Sequence, residues 1–426
     1  MDLNRKTAYE VLLDVEKNQA YSNLSLNNFI EKNKPDSPAF VREIVYGVLE
    51  NKILLDHILS QLVLSGLKKV KKQDLTLLRM GVYQLMSMNS VPEYAAVNET
   101  VNMAKVFARG RERFVNGVLR GYTKKCDQLV MPDKEADLAE YLSVMYSAEK
   151  WIVKLWLDAY GAEDTEAILE ASNRTPELTV RTNLLKTGRT ELKSILEGQG
   201  FEVSETLESP RGLIVKGSGI LNTDAYREGL FSVQDEASML ASEALDAKPG
   251  DFVIDVCAAP GGKSFATAEM MSGEGRVCSM DIYEHKLKLM ETQAKRTGIT
   301  NIELICHDST EALAEFAEKA DKVLADVPCS GLGVIRRKPE IKYKGNEELQ
   351  ELIERQSKIL AAASTYVKPG GTLVYSTCTI NPAENQLQTE KFLYSNGDYE
   401  KVEERQLFPT MGIDGFYICK MVRKQV

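Results

Sequence analysis

The spacing of apolar residues predicts that the first third of the chain is helical. Between Leu3 and Val15, and repeatedly up to about residue 125, apolar side chains recur every three or four positions, which is typical of amphipathic helices. Further predicted helices cover residues 74–88, 93–107 and 111–122. Ser37 and Asp74 precede helical segments and are predicted to be N-caps. We therefore expect an all-α N-terminal domain.

Beyond Gly250 the pattern changes, and short runs rich in β-branched residues alternate with helical segments. The runs predict strands at 252–256, 276–280, 302–306, 321–327 and 371–377. The segments that follow them predict helices near 263–272, 283–297, 310–318, 346–367 and 383–395. Such alternation predicts a parallel, doubly wound α/β sheet, which binds its ligands beyond the carboxyl ends of the strands.

Charge is distributed unevenly along the 426 residues. The whole chain carries a net charge of −9, but residues 1–126 contain 19 Lys and Arg against 13 Asp and Glu, a net +6. Part of this excess lies in three basic clusters, at 68–72, 109–113 and 120–125. A solvated helix end explains any single cluster, whereas three clusters in one small domain favour a surface that faces RNA.

The middle of the chain predicts a linker and a small domain. Residues 129–139 are polar and include Pro132, which indicates a linker. Short helical and strand-like segments follow up to about residue 230 and predict an α+β arrangement. Arg181 and Asn183 stand on an otherwise apolar strand there, and we expect their side chains to face either RNA or solvent.

Cysteine and histidine usage argues against a metal site. The seven cysteines, at 126, 257, 278, 306, 329, 378 and 419, form no CxxC pair, and the three histidines do not cluster with them. We therefore expect reduced thiols, with neither a disulfide framework nor a structural metal. No apolar run approaches the length of a membrane span, and residues 1–20 do not resemble a signal peptide, so a cytoplasmic protein is expected.

Residues 251–264, which read DFVIDVCAAPGGKS, combine a strand, a tight turn of small residues and a helix start. Backbone N–H groups at such a turn can face a ligand. The phosphate-binding Walker A pattern is broken because Cys257 occupies the position of its first glycine, and G-x-G-x-x-G is also absent. Asp281 ends the next strand, 20 residues after Gly261, where an acid accepts hydrogen bonds from ribose hydroxyls. The stretch predicts a nucleoside-ligand site.

Thiols and carboxylates stand at the ends of other predicted strands. Asp326 and Cys329 follow one strand, Cys378 follows the next, and Asp255 and Asp308 stand at the ends of two more. A thiolate that adds to C6 of a cytosine makes C5 nucleophilic, and an acid at N3 or the exocyclic amine relieves the developing charge. C5 can then attack an electrophilic methyl group. These residue types fit methyl transfer to a pyrimidine but do not decide which thiol attacks.

Four motifs carry a family resemblance: CAAPGGK, DVPCSG, YSTCTINPAEN and DGFY. They resemble motifs of the RsmB/NOP/Sun family of RNA cytosine-C5 methyltransferases, and the helical first third resembles NusB-like RNA-binding domains. The resemblance implies a NusB-like domain over 1–128, a small α+β RNA-binding linker domain over 140–230 and a Rossmann-like class I methyltransferase domain over 231–426. It implies methyl transfer from S-adenosylmethionine to C5 of a specific cytosine in 16S ribosomal RNA.

The resemblance also implies roles for individual residues. Cys378 is expected to form a covalent adduct at C6, Cys329 to resolve it, and Asp326 to lie between the cofactor and the base. Asp281 is expected to hold the ribose and Asp308 to lie beside the adenine. The residues expected around the methionine part are Cys257, Ala258, Ala259, Pro260, Gly261, Gly262 and Lys263.

A basic stretch just after Cys329 is expected to lie near the site. Arg336, Arg337 and Lys342 are predicted to contact RNA phosphates, although a solvated loop would have the same composition. The target base has to be unpaired or flipped to reach the site.

Two other functions remain open at this point. A transfer RNA methyltransferase would use the same chemistry, and a non-catalytic RNA-binding assembly factor would keep the fold without using the cysteines. For the favoured function, the expected partner is small-subunit ribosomal RNA and the expected state is a monomer.

Overall fold

The computed structural model describes residues 1–18 and 20–425, which divide into two compact units. The first unit comprises Met1–Arg174 and Ile335–Gly345, and the second comprises Thr175–Val334 and the chain from Asn346 onward. The sequence placed the end of the helical domain at residue 128, whereas the helices up to Ser172 group with the first unit. The segment 335–345 also belongs to the first unit, although the chain on both sides of it belongs to the second.

Nine α-helices lie within the described residues of the first unit. Their bounds are α1 Leu3–Asn18, α2 Ser22–Asn33, α3 Pro38–Glu50, α4 Lys52–Leu62, α5 Lys72–Ser87, α6 Glu93–Phe107, α7 Glu112–Lys125, α8 Leu138–Tyr146 and α9 Lys150–Ser172. The apolar faces of α1 to α7 share a core that contains the fully buried Val11, Ile44 and Leu77. The prediction of an all-α first third is confirmed. Among residues 1–18 and 20–425, no helix has both the length and the apolar character that crossing a membrane requires.

The two predicted N-caps have different outcomes. The Ser37 hydroxyl accepts a hydrogen bond from the Phe40 backbone N–H at 3.3 Å, and it caps α3 as predicted. The prediction for Asp74 is wrong, because α5 begins at Lys72 and places Asp74 inside its first turn. The buried Asp74 carboxylate instead accepts a hydrogen bond from Arg111 Nε at 3.1 Å. A tertiary ion pair has replaced the local capping bond.

The second unit begins with a small four-stranded sheet. Its elements are β1 Thr179–Thr182, α10 Arg189–Gly198, β2 Glu202–Glu205, β3 Gly212–Lys216, α11 Asp224–Arg227 and β4 Phe231–Val233. The strand order is β2-β3-β1-β4, with every neighbouring pair antiparallel. Val180, Leu192 and Leu213 lie in the core between this sheet and its helices. The predicted small α+β arrangement is confirmed.

Neither expectation for Arg181 and Asn183 is correct, since both side chains are fully buried. Arg181 Nη2 donates to Glu269 Oε1 at 2.8 Å and Nη1 donates to the Gly262 carbonyl at 2.8 Å. Asn183 Nδ2 donates to the Gly229 and Thr297 carbonyls, each at 2.8 Å. Both faces of β1 are buried, and Arg181 and Asn183 bond protein groups rather than water.

The rest of the second unit contains a seven-stranded sheet flanked by helices. Its elements are α12 Glu236–Glu243, β5 Phe252–Asp255, α13 Gly262–Met270, β6 Arg276–Asp281, α14 Glu284–Thr297, β7 Ile302–Cys306, β8 Ala320–Asp326, α15 Leu349–Ser364, β9 Val367–Thr377, α16 Gln386–Ser395, β10 Tyr399–Leu407 and β11 Phe416–Arg423. The strand order is β10-β11-β9-β8-β5-β6-β7. Strands β5 to β9 are parallel, which confirms the predicted doubly wound sheet.

The sequence reading differs from this sheet in two places. The helix predicted over 310–318 is wrong, and only a 3₁₀ turn, Ala314–Phe316, is present. The Leu313 N–H donates to the Tyr366 hydroxyl at 2.9 Å instead of continuing a helical ladder. The antiparallel strands β10 and β11 were not predicted. Strand β10 is an edge strand rich in charged residues, which protects the edge but hides the apolar alternation of a strand.

Candidate functional site

The carboxyl ends of five parallel strands bring most of the predicted site residues to one edge of the sheet. From β9 to β6 the strands end at Thr377, Asp326, Asp255 and Asp281, with Cys378 directly after Thr377. The register places Asp326 opposite Ser376 and Asp255 opposite Leu324. These strand ends are therefore neighbours, with Cys329 and Cys378 at the β8–β9 end and Asp281 at the β6 end.

The turn between β5 and α13 is fastened by the carboxylate of Asp255. One oxygen of Asp255 accepts from Ser264 Oγ at 2.6 Å and the other accepts from the Cys257 N–H at 3.3 Å. Burial, together with the nearby charge of Asp326, raises the pKa of Asp255 to about 7. Gly261 adopts φ +101°, and a Cβ there would lie 2.6 Å from the Phe265 ring. The turn thus needs its glycine to pack against its own helix.

Within this turn Cys257 is a wall residue with little nucleophilic character. Burial raises the pKa of its thiol well above the ordinary value, and the carboxylates of Asp255, Asp326, Asp281 and Asp308 raise it further. A thiol in such an environment stays protonated. The same interactions indicate that four acids surround this turn. Ala258 beside it is buried, Ala259 is half-buried and Pro260 is exposed.

Asp281 and Asp308 present carboxylate oxygens at successive strand ends. Asp281 is 9% exposed, and its Oδ1 accepts from the Tyr283 N–H at 2.9 Å. Asp308 is exposed, and its Oδ1 accepts from the N–H and the hydroxyl of Thr310 at 3.0 and 2.8 Å. These two hydrogen bonds lower the pKa of Asp308. Both side chains keep acceptor capacity for a ligand that offers hydroxyl or amino donors.

Asp326 lies in a polar arrangement that the sequence reading missed. Its Oδ2 accepts from Lys263 Nζ at 2.8 Å, and its Oδ1 accepts from Ser376 Oγ at 2.8 Å. Burial acts to lower the pKa of the Lys263 ammonium, but attraction to Asp326 outweighs it and the net pKa is raised. Lys263 was predicted to contact the cofactor as part of CAAPGGK, which stays a prediction, and its ammonium bonds Asp326. The position of Lys263 at the start of a helix does not predict this pairing, because Asp326 lies 63 residues further along the chain.

The thiols of Cys329 and Cys378 face each other, with their sulfur atoms 3.2 Å apart. Both side chains are half-buried, and neither takes part in a disulfide. The hydrogen bond with Cys378, burial and the charge on Cys378 raise the pKa of Cys329 well above its ordinary value.

Two glycines hold the backbone of the Cys378 loop. The Gly333 N–H donates to the Cys378 carbonyl at 3.1 Å, and the Gly415 N–H donates to the Gly333 carbonyl at 2.9 Å. A Cβ on Gly333 would collide with the Gly415 carbonyl oxygen. The DGFY motif, which the sequence singled out without assigning it a role, thus supplies Gly415 to this contact.

The basic stretch after Cys329 does not behave as predicted throughout. Lys342 is 1% exposed, and its Nζ lies within hydrogen-bond distance of the Glu50 and Tyr146 carbonyls and of Asn173 Oδ1. The prediction that Lys342 contacts phosphate is wrong, because its Nζ is buried among these three oxygens of the first unit. Arg336 and Arg337 are partly exposed, and an RNA contact for them stays a prediction.

No cluster of three or more His, Cys, Asp or Glu side chains suited to a metal ion occurs in the described part of the chain.

Comparisons with known proteins cover almost the whole chain. Residues 242–422 match the family described as 16S rRNA methyltransferase RsmB/F. Residues 2–124 match the NusB family, and residues 148–220 match the ferredoxin-like domain of RsmF/B-like methyltransferases.

Similar individual proteins include two curated relatives and one solved structure. The chain is 39% identical to the probable ribosomal RNA small subunit methyltransferase B of Bacillus subtilis, over 99% of this chain and 98% of that protein. It is 33% identical to the probable ribosomal RNA small subunit methyltransferase B of Synechocystis sp., over 93% of this chain and 90% of that protein. The crystal structure of PH0851 is similar with a TM-score of 0.82 and 25% identity, over 97% of this chain and 98% of that one.

Proposed function

This chain belongs to the RsmB/F family of 16S rRNA methyltransferases, and we propose that it methylates C5 of a specific cytosine in 16S ribosomal RNA through a covalent cysteine adduct. The observation that carries the proposal is the pair of sulfur atoms of Cys329 and Cys378, 3.2 Å apart at the edge of the sheet. Asp326 ends the strand beside that of Cys378. Two thiols beside a carboxylate match the requirements of adding sulfur to a pyrimidine.

The cofactor is S-adenosylmethionine, and the acceptors at the β5–β7 end of the site fit it. Its ribose hydroxyls and adenine amine are hydrogen-bond donors, and Asp281 and Asp308 offer carboxylate acceptors at successive strand ends. The residues from Cys257 to Lys263 would enclose its methionine part, and Asp326 lies beside them through its bond to Lys263. When bound, the cofactor supplies an electrophilic methyl group.

In the proposed reaction Cys378 is the nucleophile. Its thiolate forms the Sγ–C6 bond while the C5=C6 electron pair moves onto C5. C5 would then bond the methyl carbon as the bond between that carbon and the cofactor's sulfur breaks, and the electron pair of the broken bond would stay on the sulfur. The position of Cys378 in the YSTCTINPAEN motif supports this assignment, and its sulfur lies 3.2 Å from that of Cys329.

Cys329 is proposed to resolve the adduct. Once Cys378 is bonded to C6, it no longer offers Cys329 a negative charge or an acceptor, and two of the causes that raise the pKa of Cys329 disappear. Cys329 can then lose its proton to solvent and accept the C5 proton. The released electron pair restores C5=C6 and expels the Cys378 thiolate. At the end of the reaction Cys329 carries the proton from C5, Cys378 is again a thiolate, and neither sulfur is oxidised.

Asp326 is proposed to orient the base. Lys263 and Ser376 each donate to one of its oxygens, so it acts as an acceptor rather than an acid. An acceptor suits the exocyclic amine of cytosine, which carries N–H donors and which uracil lacks. Of the two contacts that the sequence left open, this arrangement favours the amine over N3.

The direct test is incubation of the protein with labelled S-adenosylmethionine and small-subunit RNA, followed by nucleoside analysis. We expect labelled 5-methylcytosine at one position. Label in another nucleoside would contradict the proposed position of methylation. Parallel incubations with transfer RNA separate the alternative substrate, and binding of RNA without any methyl transfer would favour the non-catalytic assembly factor.

Replacement of each thiol tests the assignment of roles. Cys378→Ala is expected to abolish turnover and any denaturation-resistant RNA adduct, because the Sγ–C6 bond cannot form. Cys329→Ala is expected to accumulate that adduct, visible as a slower band in a denaturing gel, while turnover is lost. The reverse pattern would exchange the two roles.

Further contacts with the RNA substrate are proposed for two arginines that follow Cys329 in the chain. Arg336 and Arg337 would contact RNA phosphates as a monomeric enzyme engages its target in the cytoplasm, and Lys342 is excluded from this set by its burial.

A further inference from the structure

The carboxylate of Glu384 lies at the centre of a buried hydrogen-bond network behind the two thiols. Glu384 ends the 3₁₀ turn Pro382–Glu384 and is fully buried. Its Oε1 accepts from the Ser330 N–H at 2.8 Å and from Gln356 Nε2 at 2.9 Å. Its Oε2 accepts from Ser330 Oγ at 2.5 Å and from Asn381 Nδ2 at 2.9 Å. Four donors therefore converge on one side chain.

These donors fix the backbone on both sides of Cys329. Ser330 follows Cys329 directly, and its N–H and hydroxyl both bond Glu384. Gln356, in α15, also donates to the carbonyl of Pro328, which precedes Cys329, at 2.9 Å. The reactive thiol is thus carried on a loop whose flanking peptide groups are bonded directly or through Gln356 to the same carboxylate.

The network also reaches the loop of Cys378. The hydroxyl of Ser330 is hydrogen-bonded to that of Thr379, which follows Cys378, at 2.8 Å. The Tyr375 hydroxyl donates to the backbone carbonyl of Glu384 at 2.7 Å and so ties β9 to the same turn. A single carboxylate therefore connects the residues that follow the two cysteines.

Three of these four donors are N–H groups, which can only donate, and a carboxylate offers an acceptor to all four. A buried charge is tolerated when all its acceptor sites are used, as they are here. An amide of the same shape does not match these donors. Its NH₂ group would face either Ser330 N–H and Gln356 Nε2 or, in the other orientation, Asn381 Nδ2, and none of these groups can accept. At least one buried N–H donor of the network would then lose its acceptor.

We propose that Glu384 is a positioning residue that sets Cys329 relative to Cys378 and thereby controls the resolution of the covalent adduct. The inference rests on the proposed function. It differs from an assignment of the thiols themselves, because the hydrogen bonds of Glu384 reach the two cysteine loops through Ser330 and Thr379.

The test compares Glu384→Gln with the wild type and with a matched control, Glu236→Gln. Glu236 is also buried, but both of its donors, the N–H groups of Glu208 and Ser209, bond the same Oε1 at 2.6 and 2.8 Å. A glutamine oxygen can keep both of those bonds. The control therefore removes a buried charge without leaving a donor unmatched.

For Glu384→Gln we expect turnover to fall about 10- to 100-fold, as for a displaced reacting group. The fraction of enzyme in the denaturation-resistant RNA adduct should rise above wild type, while the Kd for S-adenosylmethionine stays within about twofold. Glu236→Gln should match the wild type in turnover and adduct. Turnover and adduct of Glu384→Gln within about twofold of wild type would overturn the proposal, as would a parallel loss of both in a folded protein.

A second readout needs neither RNA nor turnover. In the wild type, Glu384 adds to the causes that raise the pKa of Cys329. Peptide mass spectrometry after brief iodoacetamide treatment should show faster labelling of Cys329 in Glu384→Gln and no change in Glu236→Gln. Unchanged labelling of Cys329 would contradict the proposal.

Ser330→Ala provides the same test should Glu384→Gln fail to fold, since it removes the hydroxyl that links Glu384 to Thr379 but keeps the Ser330 N–H bond. It is expected to accumulate adduct as well, and a wild-type adduct level in it would overturn the inference. If the wild type itself makes no 5-methylcytosine and no adduct, the proposed function fails. The labelling experiment then still decides whether Glu384 positions Cys329.

Discussion

Lys263 and Lys342 both have side chains largely withdrawn from solvent, one in each unit, and their surroundings are opposite. The Lys263 ammonium bonds the Asp326 carboxylate, and its pKa is raised. The Lys342 amine bonds two backbone carbonyls and a side-chain amide oxygen, and burial lowers its pKa to about 7. The difference shows that the oxygen partner, rather than burial itself, decides whether a buried lysine supplies a charge or a structural cross-link.

Of the changes that test this comparison, removal of the Lys263 ammonium should have the largest effect, and the effect should be on turnover. Lys263→Met leaves the Asp326 carboxylate without its cation, so we expect turnover to fall about 100-fold or more at saturating substrates, with a small change in Tm. Steady-state kinetics and calorimetry measure the two quantities. Lys288→Met, which removes an exposed ion pair with Glu284, is the control and should leave both unchanged. Normal turnover in Lys263→Met would show that the pair is structural only.

Removing Lys342 should have the converse result. Lys342→Met leaves three buried oxygens without a donor, and we expect the first unit to lose about 2 kcal/mol of unfolding free energy. Turnover and RNA affinity of the folded protein should stay near wild type. Urea unfolding followed by tryptophan fluorescence reports this unit, because the two tryptophans of the chain, Trp151 and Trp156, both lie in α9. Weaker RNA binding without lost stability would restore Lys342 as a phosphate contact.

The smallest effect is a difference in pH dependence. An unfolded lysine titrates near about 10.4, so between about pH 7 and that value the unfolded chain binds more protons than the folded one at Lys342. This group therefore makes the unfolding free energy rise with pH, by at most about 1.4 kcal/mol per unit.

Lys263, whose pKa is raised, stays protonated over that window and contributes no slope. The advantage of the wild type over Lys342→Met should consequently grow between about pH 7 and pH 9 in the fluorescence measurement. A constant difference across this range would mean that Lys342 keeps its proton in the folded protein.

The sequence anticipated those parts of the site that depend on local chain geometry. Strand–turn–helix patterns predict the CAAPGGK turn, the acids at the strand ends, and Cys329 and Cys378. Parallel pairing of the strands then brings these residues to one edge of the sheet. The roles of the two cysteines came from family resemblance and stay proposals.

Predictions failed where a side chain found its partner through tertiary contact. Asp74 fits a local N-cap pattern, yet it pairs with Arg111, 37 residues away. Arg181 was expected to face RNA or solvent, yet it bonds Glu269, 88 residues away. The helix predicted over 310–318 does not form, and the Leu313 N–H within that range bonds the Tyr366 hydroxyl. In each case a distant group outweighed the local preference.

By itself the sequence determined which chemical groups the protein has and which strand ends carry them, because period and turn composition act over a few residues. Only the tertiary structure decided which charges meet. Lys263 reaches Asp326 across 63 residues, Glu384 reaches Ser330 across 54 and Lys342 reaches Glu50 across 292. Whether a buried group is charged depends on the oxygens that folding places around it, and a linear pattern does not contain that information.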